Sequence, residues 1–148
     1  MDDRSDYQLD NQLCFAIYRA GQAMNRTYKA LLTPLGLTYP QFLVMLVLWE
    51  HGELSVKQIG GYLGLDSGTL TPLLKRMEQS GFVARRRDSH DERIVRVTAT
   101  EAGHRLRAPA CRAMDTLRKK ATLAASDLDG LRHSLHRLST TLENEEVE

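Results

Sequence analysis

Between residues 9 and 32, apolar or small side chains recur at Leu9, Leu13, Ile17, Ala20, Met24, Tyr28 and Leu31. Steps of three and four predict one amphipathic helix, which Pro34 and Gly36 end. After Pro40, well placed in a first helical turn, the run QFLVMLVLW is apolar all round and reads as a buried helix closed by Gly52. Ser55-Val-Lys-Gln58 matches a capping box, in which the serine accepts from a backbone amide and the glutamine reaches back. A short helix over 56–63 follows.

The turn Gly64-Leu65-Asp66 leads to a further helix, with Leu70, Leu73, Leu74 and Met77 inward at i, i+3, i+4, i+7 and Ser67, Thr69, Thr71, Lys75, Arg76 and Gln79 outward. Pro72 conflicts with a regular helix, since it lacks an amide hydrogen and crowds the carbonyl four residues back. The helix is expected to begin near Thr69 or to bend there. FVARRR and RIVRVTA, separated by DSHDE, read as the two strands of a hairpin. Thr100 is placed to cap a long helix over 101–125, kinked by Pro109. A last helix carries Leu128, Leu131, Leu135, Leu138 and Leu142, the 3, 4, 3, 4 spacing of a coiled-coil seam over two heptads. The same stripe serves as core in a monomer; its place at the chain end favours an interface between subunits. The fold class is therefore mainly α with a small β wing: a winged helix-turn-helix at about 40–99, and an α-helical dimerisation region from N- and C-terminal helices at about 7–35 and 100–145, within one domain over 1–148.

A net charge of +1 does not announce nucleic-acid binding, but the distribution does. From Lys75 to Arg96 there are seven Lys or Arg against four acids, while acids gather at both ends. Among wing residues, Arg86 and Arg93 are candidates to reach DNA, with Asp91 shaping the turn or pairing with an arginine. The longest apolar run, Phe42 to Trp49, is too short to cross a bilayer, and the acidic start is unlike a secretory leader. A cytoplasmic protein without membrane contact is expected. Two cysteines, Cys14 and Cys111, match neither a CxxC pair nor a disulfide framework. In a reducing compartment both stay thiols, and redox state can then carry information. His133 and His136 lack the further ligands a metal needs, so neither metal nor cofactor is expected.

Together, LDNQLCF around Cys14, TYPQ around Tyr39, VLWE at 47–50, LDSGTLTPLLKRMEQSG at 65–81 and the Asp-x-Arg of DER at 91–93 resemble the MarR family. Within it they resemble the OhrR group, repressors that sense organic hydroperoxides. The likeness runs from about Leu9 to Gly103. It implies a homodimer on a double-stranded DNA operator with inverted-repeat symmetry, a sensing thiol at Cys14, and hydroxyl donors at Tyr28, Tyr39 and also Tyr18. Organic hydroperoxides and a cellular thiol are the implied reactants, with Cys111 as a candidate second thiol. Cys14 and Tyr28 lie fourteen residues apart on one helix, about 21 Å at 1.5 Å per residue. No side chain bridges that within one chain, so a shared site requires two first helices running antiparallel across a dimer axis. The rival functions are a MarR-type repressor released by a small aromatic ligand, with Cys14 simply buried, and a thiol peroxidase.

Overall fold

In the computed structural model, which describes residues 4–145, the first helix starts later than its apolar spacing predicts. Two 3₁₀ turns, Arg4–Tyr7 and Leu9–Asn11, come first. Gln12 is extended, and α1 then runs Leu13–Leu32. The cause is local: Asn11 Nδ2 donates to the Ser5 carbonyl at 2.8 Å and Gln12 Nε2 to that of Asp6, and such side-chain bonds compete with helical pairing. Leu9 is left outside the helix and exposed.

Helix α2 (Tyr39–His51) opens on a capping box absent from the sequence reading: Gln41 N donates to Thr38 Oγ1 at 3.4 Å, and Thr38 N to Gln41 Oε1 at 3.0 Å. Its Phe42, Val44, Met45 and Leu48 are almost wholly buried, as an all-round apolar helix must be. Strand β1 (Leu54–Ser55) and α3 (Val56–Leu63) follow, the latter capped by Ser55 and Gln58 as expected. Gly64, at φ +66°, ends α3 in the left-handed conformation that glycine adopts without steric cost. Helix α4 spans Ser67–Gln79 with Pro72 inside it. It begins two residues before Thr69, because the Asp66 carboxylate accepts from the Thr69 amide at 2.7 Å and fixes the first turn.

The sheet has three strands in the order β1-β3-β2, all antiparallel, with β2 Val83–Arg87 and β3 Val95–Ala99. The register sets Leu54, Val97 and Arg85 in one row and Ser55, Arg96 and Arg86 in the next. Side chains alternate across a sheet, so the first row faces inward, where Leu54, Val97 and Val83 are buried. The predicted long helix over 101–125 is two helices, α5 (Glu101–Arg105) and α6 (Arg107–Lys120). The chain breaks at Leu106, three residues before Pro109, whose nitrogen cannot donate back to Arg105. The chain divides into two compact units, one ending at Asp115 and the other beginning at Thr116.

The core of the first unit gathers Tyr28 and Leu32 from α1, the apolar residues of α2, Ile59 of α3, the inward leucines and Met77 of α4, and Val83 and Val97 of the sheet. Each such side chain contributes about 1.5–3 kcal/mol by leaving water. By contrast, α1 leaves Leu13, Ile17, Tyr18 and Met24 exposed. Helix α7 (Ala125–Asn144), in the second unit, buries none of its leucines; Leu131, Leu135 and Leu142 are 50%, 37% and 61% exposed. Among the described residues no single helix is long and apolar enough to cross a membrane.

Candidate DNA interface and thiol site

Helices α3 and α4, joined by the tight turn 64–66, form the helix-turn-helix, and α4 divides as its periodicity predicts. Leu70, Leu73, Leu74 and Met77 are buried; Ser67, Thr69, Thr71, Lys75 and Arg76 are exposed along the opposite face. Asp66 is held below the usual carboxylate range, first by the Thr69 amide and then by its hydroxyl, so it stays ionised at the positive end of α4.

The basic sheet is largely charge-paired. Arg85 is anchored on Glu78 of α4, with Nη2 at 3.1 Å and its amide donating to Oε2 at 3.0 Å. Arg86 gives Nη2 to both oxygens of Glu53 at 2.8 and 3.0 Å, so any contact it makes with phosphate competes with that acid. Arg87 donates to the Glu92 carbonyl at 2.8 Å. Arg93, at the tip, is bound through Nε and Nη2 to Asp91 at 3.0 and 3.1 Å, yet its side chain remains 90% exposed. Asp91 therefore both pairs and turns the chain, its Oδ1 also accepting from the Arg93 amide at 3.1 Å. Glu53, Glu78 and Asp88 were not singled out by sequence patterning, because a lone acid without a periodic partner reads as one more solvated side chain.

The candidate thiol site is split. Tyr28 is buried and Tyr39 half-buried, their rings stacked with centroids 4.7 Å apart and planes at 23°. Phe42 closes the cluster at 5.9 Å from Tyr28 and 6.4 Å from Tyr39. Burial raises the Tyr39 pKa, so its phenol stays protonated and able to donate at neutral pH. Cys14 is not with them: it is exposed on the first turn of α1, fourteen residues from Tyr28, about 21 Å along the helix. Tyr18, also exposed and one turn from Cys14, accepts from Gln22 Nε2 at 3.0 Å. Cys111 is partly exposed on a shallow groove of about 360 Å³ lined by Leu46, Trp49, Glu50 and Arg107. Among the described residues no group of three His, Cys, Asp or Glu side chains is arranged to hold a metal.

Residues 37–95, from just before α2 through the helix-turn-helix to the first residue of β3, match the sequence profile of the MarR family. The organic hydroperoxide resistance transcriptional regulator of Bacillus subtilis is 45% identical over 143 residues, covering 96% of this chain and 97% of that protein. AbfR of Staphylococcus epidermidis is similar in structure. Its overoxidized form bound to DNA matches with a TM-score of 0.80 at 34% identity, over 95% of this chain and 97% of that one. The reduced form bound to DNA matches with a TM-score of 0.79 at 34% identity, over 94% and 97% of the two chains. With this fold, these exposed cations and these relatives, the chain belongs to the MarR family and is a DNA-binding transcriptional regulator with a winged helix-turn-helix.

Proposed function

We propose that this regulator is a homodimeric repressor that senses organic hydroperoxides by oxidation of Cys14 and then releases its operator. The observation that carries the reading is the division of the thiol site along α1: an exposed thiol at one end and a buried tyrosine pair at the other. The apolar residues beside and between them, Leu13, Ile17 and Met24, stand exposed. A second copy packed antiparallel on this face covers them and delivers its own Tyr28 and Tyr39 to Cys14. The exposed leucines of α7, taken by themselves, make a similar demand for a partner, since an exposed apolar stripe of this kind marks an interface.

The chemistry needs no cofactor. The Cys14 thiolate attacks one peroxide oxygen; a sulfur–oxygen bond forms, the oxygen–oxygen bond breaks, and the alkoxide leaves as an alcohol after taking a proton. Sulfur is oxidised by two electrons to the sulfenic acid, and the tyrosine hydroxyls donate to the peroxide and to the developing anion. The sulfenic acid then condenses with a second thiol, forming a disulfide and releasing water. AbfR is found on DNA in an overoxidized form, so we assign release here to the bulkier disulfide rather than to added oxygen alone. A cellular thiol or Cys111 supplies the second sulfur, and Cys111→Ser separates the two. The reading places the protein in the cytoplasm, where the thiol is kept reduced.

On DNA, α4 enters the major groove, with Ser67, Thr69 and Thr71 near bases and phosphates and Lys75 and Arg76 on the backbone. Arg93, with Asp91 behind it, meets the minor groove, and Arg86 approaches phosphate from the sheet. Two-fold symmetry demands an inverted repeat with half-sites about 34–36 Å apart or a multiple. The test is a titration of an inverted-repeat duplex, recovered by in vitro selection with the full chain, before and after cumene hydroperoxide is added with a small thiol. Release on oxidation, reversed by a thiol reductant, supports the reading; unchanged affinity overturns it.

A further inference from the structure

The wing contains an acid whose bonds are all internal to the protein. Asp88 lies just after β2, and its side chain is 14% exposed. Oδ1 accepts from the amides of His90 and Asp91 at 2.8 and 3.1 Å, and Oδ2 accepts from Arg96 Nε at 2.8 Å. Its backbone nitrogen donates to the Ile94 carbonyl at 2.8 Å, and Ile94 N returns a bond to the Asp91 carbonyl at 3.0 Å. The tip between the strands is thus a pair of nested turns, each closed by an aspartate, and the second aspartate grips the guanidinium of Arg93.

We propose that Asp88 is a positioning residue for DNA binding: without touching DNA, it fixes the amide of Asp91, through which the Asp91 carboxylate is set to aim Arg93. The proposal rests on the reading of Arg93 as a DNA contact. Three features support it. Asp88 is too enclosed to meet a phosphate, and a carboxylate near that backbone repels it, so a contact role is excluded on charge and access. Its acceptors are spent on two consecutive tip residues as well as on Arg96, which a role confined to neutralising the sheet does not require. Those same bonds, Arg96 first, hold its carboxyl down to about 2, so the anion is present throughout the neutral range.

The experiment measures affinity of the full chain for the selected inverted-repeat duplex over a salt series, for Asp88→Ala, Asp88→Asn, Arg93→Ala and both Asp88 variants combined with Arg93→Ala. Asparagine keeps an acceptor for the two tip amides but turns an amide donor toward Arg96 Nε, so the bond to Arg96 is lost. Asp88→Ala is expected to weaken binding about tenfold or more, as losing a specific arginine contact does, and to reduce the salt slope by about 1. Asp88→Asn restores most of both, and neither Asp88 variant costs further affinity once Arg93 is gone. If Asp88→Ala loses the same factor with or without Arg93, or if Asn fails to restore binding while folding remains intact by circular dichroism, Asp88 acts through the sheet and the proposal is overturned. An Arg93→Ala protein with undiminished affinity overturns the wing reading itself, and the positioning role with it, in a variant where Asp88 is untouched.

Discussion

Two adjacent glycines of α3 make opposite demands, and substituting each by alanine tests the packing of the helix-turn-helix. A Cβ at Gly60 lies 2.5 Å from the Leu65 carbonyl oxygen and 3.3 Å from Leu70 Cδ1, whereas one at Gly61 meets nothing within 4 Å. Alanine is about 0.8–1.0 kcal/mol better than glycine in a helix interior, and this gain is common to both sites. At Gly60 the oxygen is backbone, in the turn that carries the Asp66 cap of α4, and it cannot swing away as a side chain would. Overpacking of this kind costs about 1–3 kcal/mol. The propensity gain cancels between the variants, so Gly61→Ala exceeds Gly60→Ala in stability by about 1–3 kcal/mol. At about 3 °C per kcal/mol for a chain of this size, the melting temperatures differ by roughly 3–9 °C. Thermal and urea unfolding at one fixed protein concentration reads the difference, since the proposed dimerisation would make the midpoint concentration-dependent. Gly60→Ala also weakens DNA binding, because moving Leu65 moves the start of α4. Equal stabilities would refute the close approach of α3 to the turn.

Arg93→Ala is expected to weaken binding to the selected duplex by about 1–3 kcal/mol with little change in melting temperature, since a 90% exposed guanidinium packs against little; unaltered affinity moves the wing out of the interface. Acid titration reads the wing's carboxylates: Asp88 is depressed to about 2, below an unfolded value of about 3.9, so its contribution is full above about pH 4 and is lost as pH falls toward 2. Melting temperature should therefore drop more steeply over that window in the wild type than in Asp88→Asn, and equal slopes contradict the assignment. In mixed dimers carrying Cys14→Ser in one subunit and Tyr28→Phe in the other, one composite site is intact, and the surviving thiol should be trapped as sulfenic acid at the wild-type rate. A rate as slow as in the Tyr28→Phe homodimer shows the tyrosine acting within its own chain.

Much of the fold was legible because its signals are local and periodic. The two faces of α4 follow from Leu70, Leu73, Leu74 and Met77 alone, and the start of α3 from Ser55 and Gln58. What escaped depends on partners distant in sequence or on bonds without a periodic trace. Two residues are too few for β1 to show alternation; its pairing with Val97 and Arg96 defines it. Apolar spacing carried the first helix back to Leu9, but side-chain bonds from Asn11 and Gln12 hold the preceding chain in turns. The Thr38–Gln41 box is the exception, for it has the same Ser/Thr-x-x-Gln pattern as that at Ser55 and was equally legible. In the candidate site, Cys14 and the tyrosines were recognisable as chemistry, while the stacking of Tyr28 on Tyr39 arises where α1 meets α2 and has no sequence signature. Asp88 illustrates the limit: in DSHDE it is one of three acids, and only the path of the loop shows which of them organises the tip.

Cys14→Ser bears most directly on the claim that this thiol is the sensor. Serine keeps the shape of the side chain and a hydrogen-bond donor but cannot be oxidised, so the variant should dimerise and bind the selected duplex as the wild type does. Adding cumene hydroperoxide and a small thiol should release DNA from the wild type and leave the variant bound. Release of the variant at the wild-type peroxide concentration would contradict the account and assign sensing to another group.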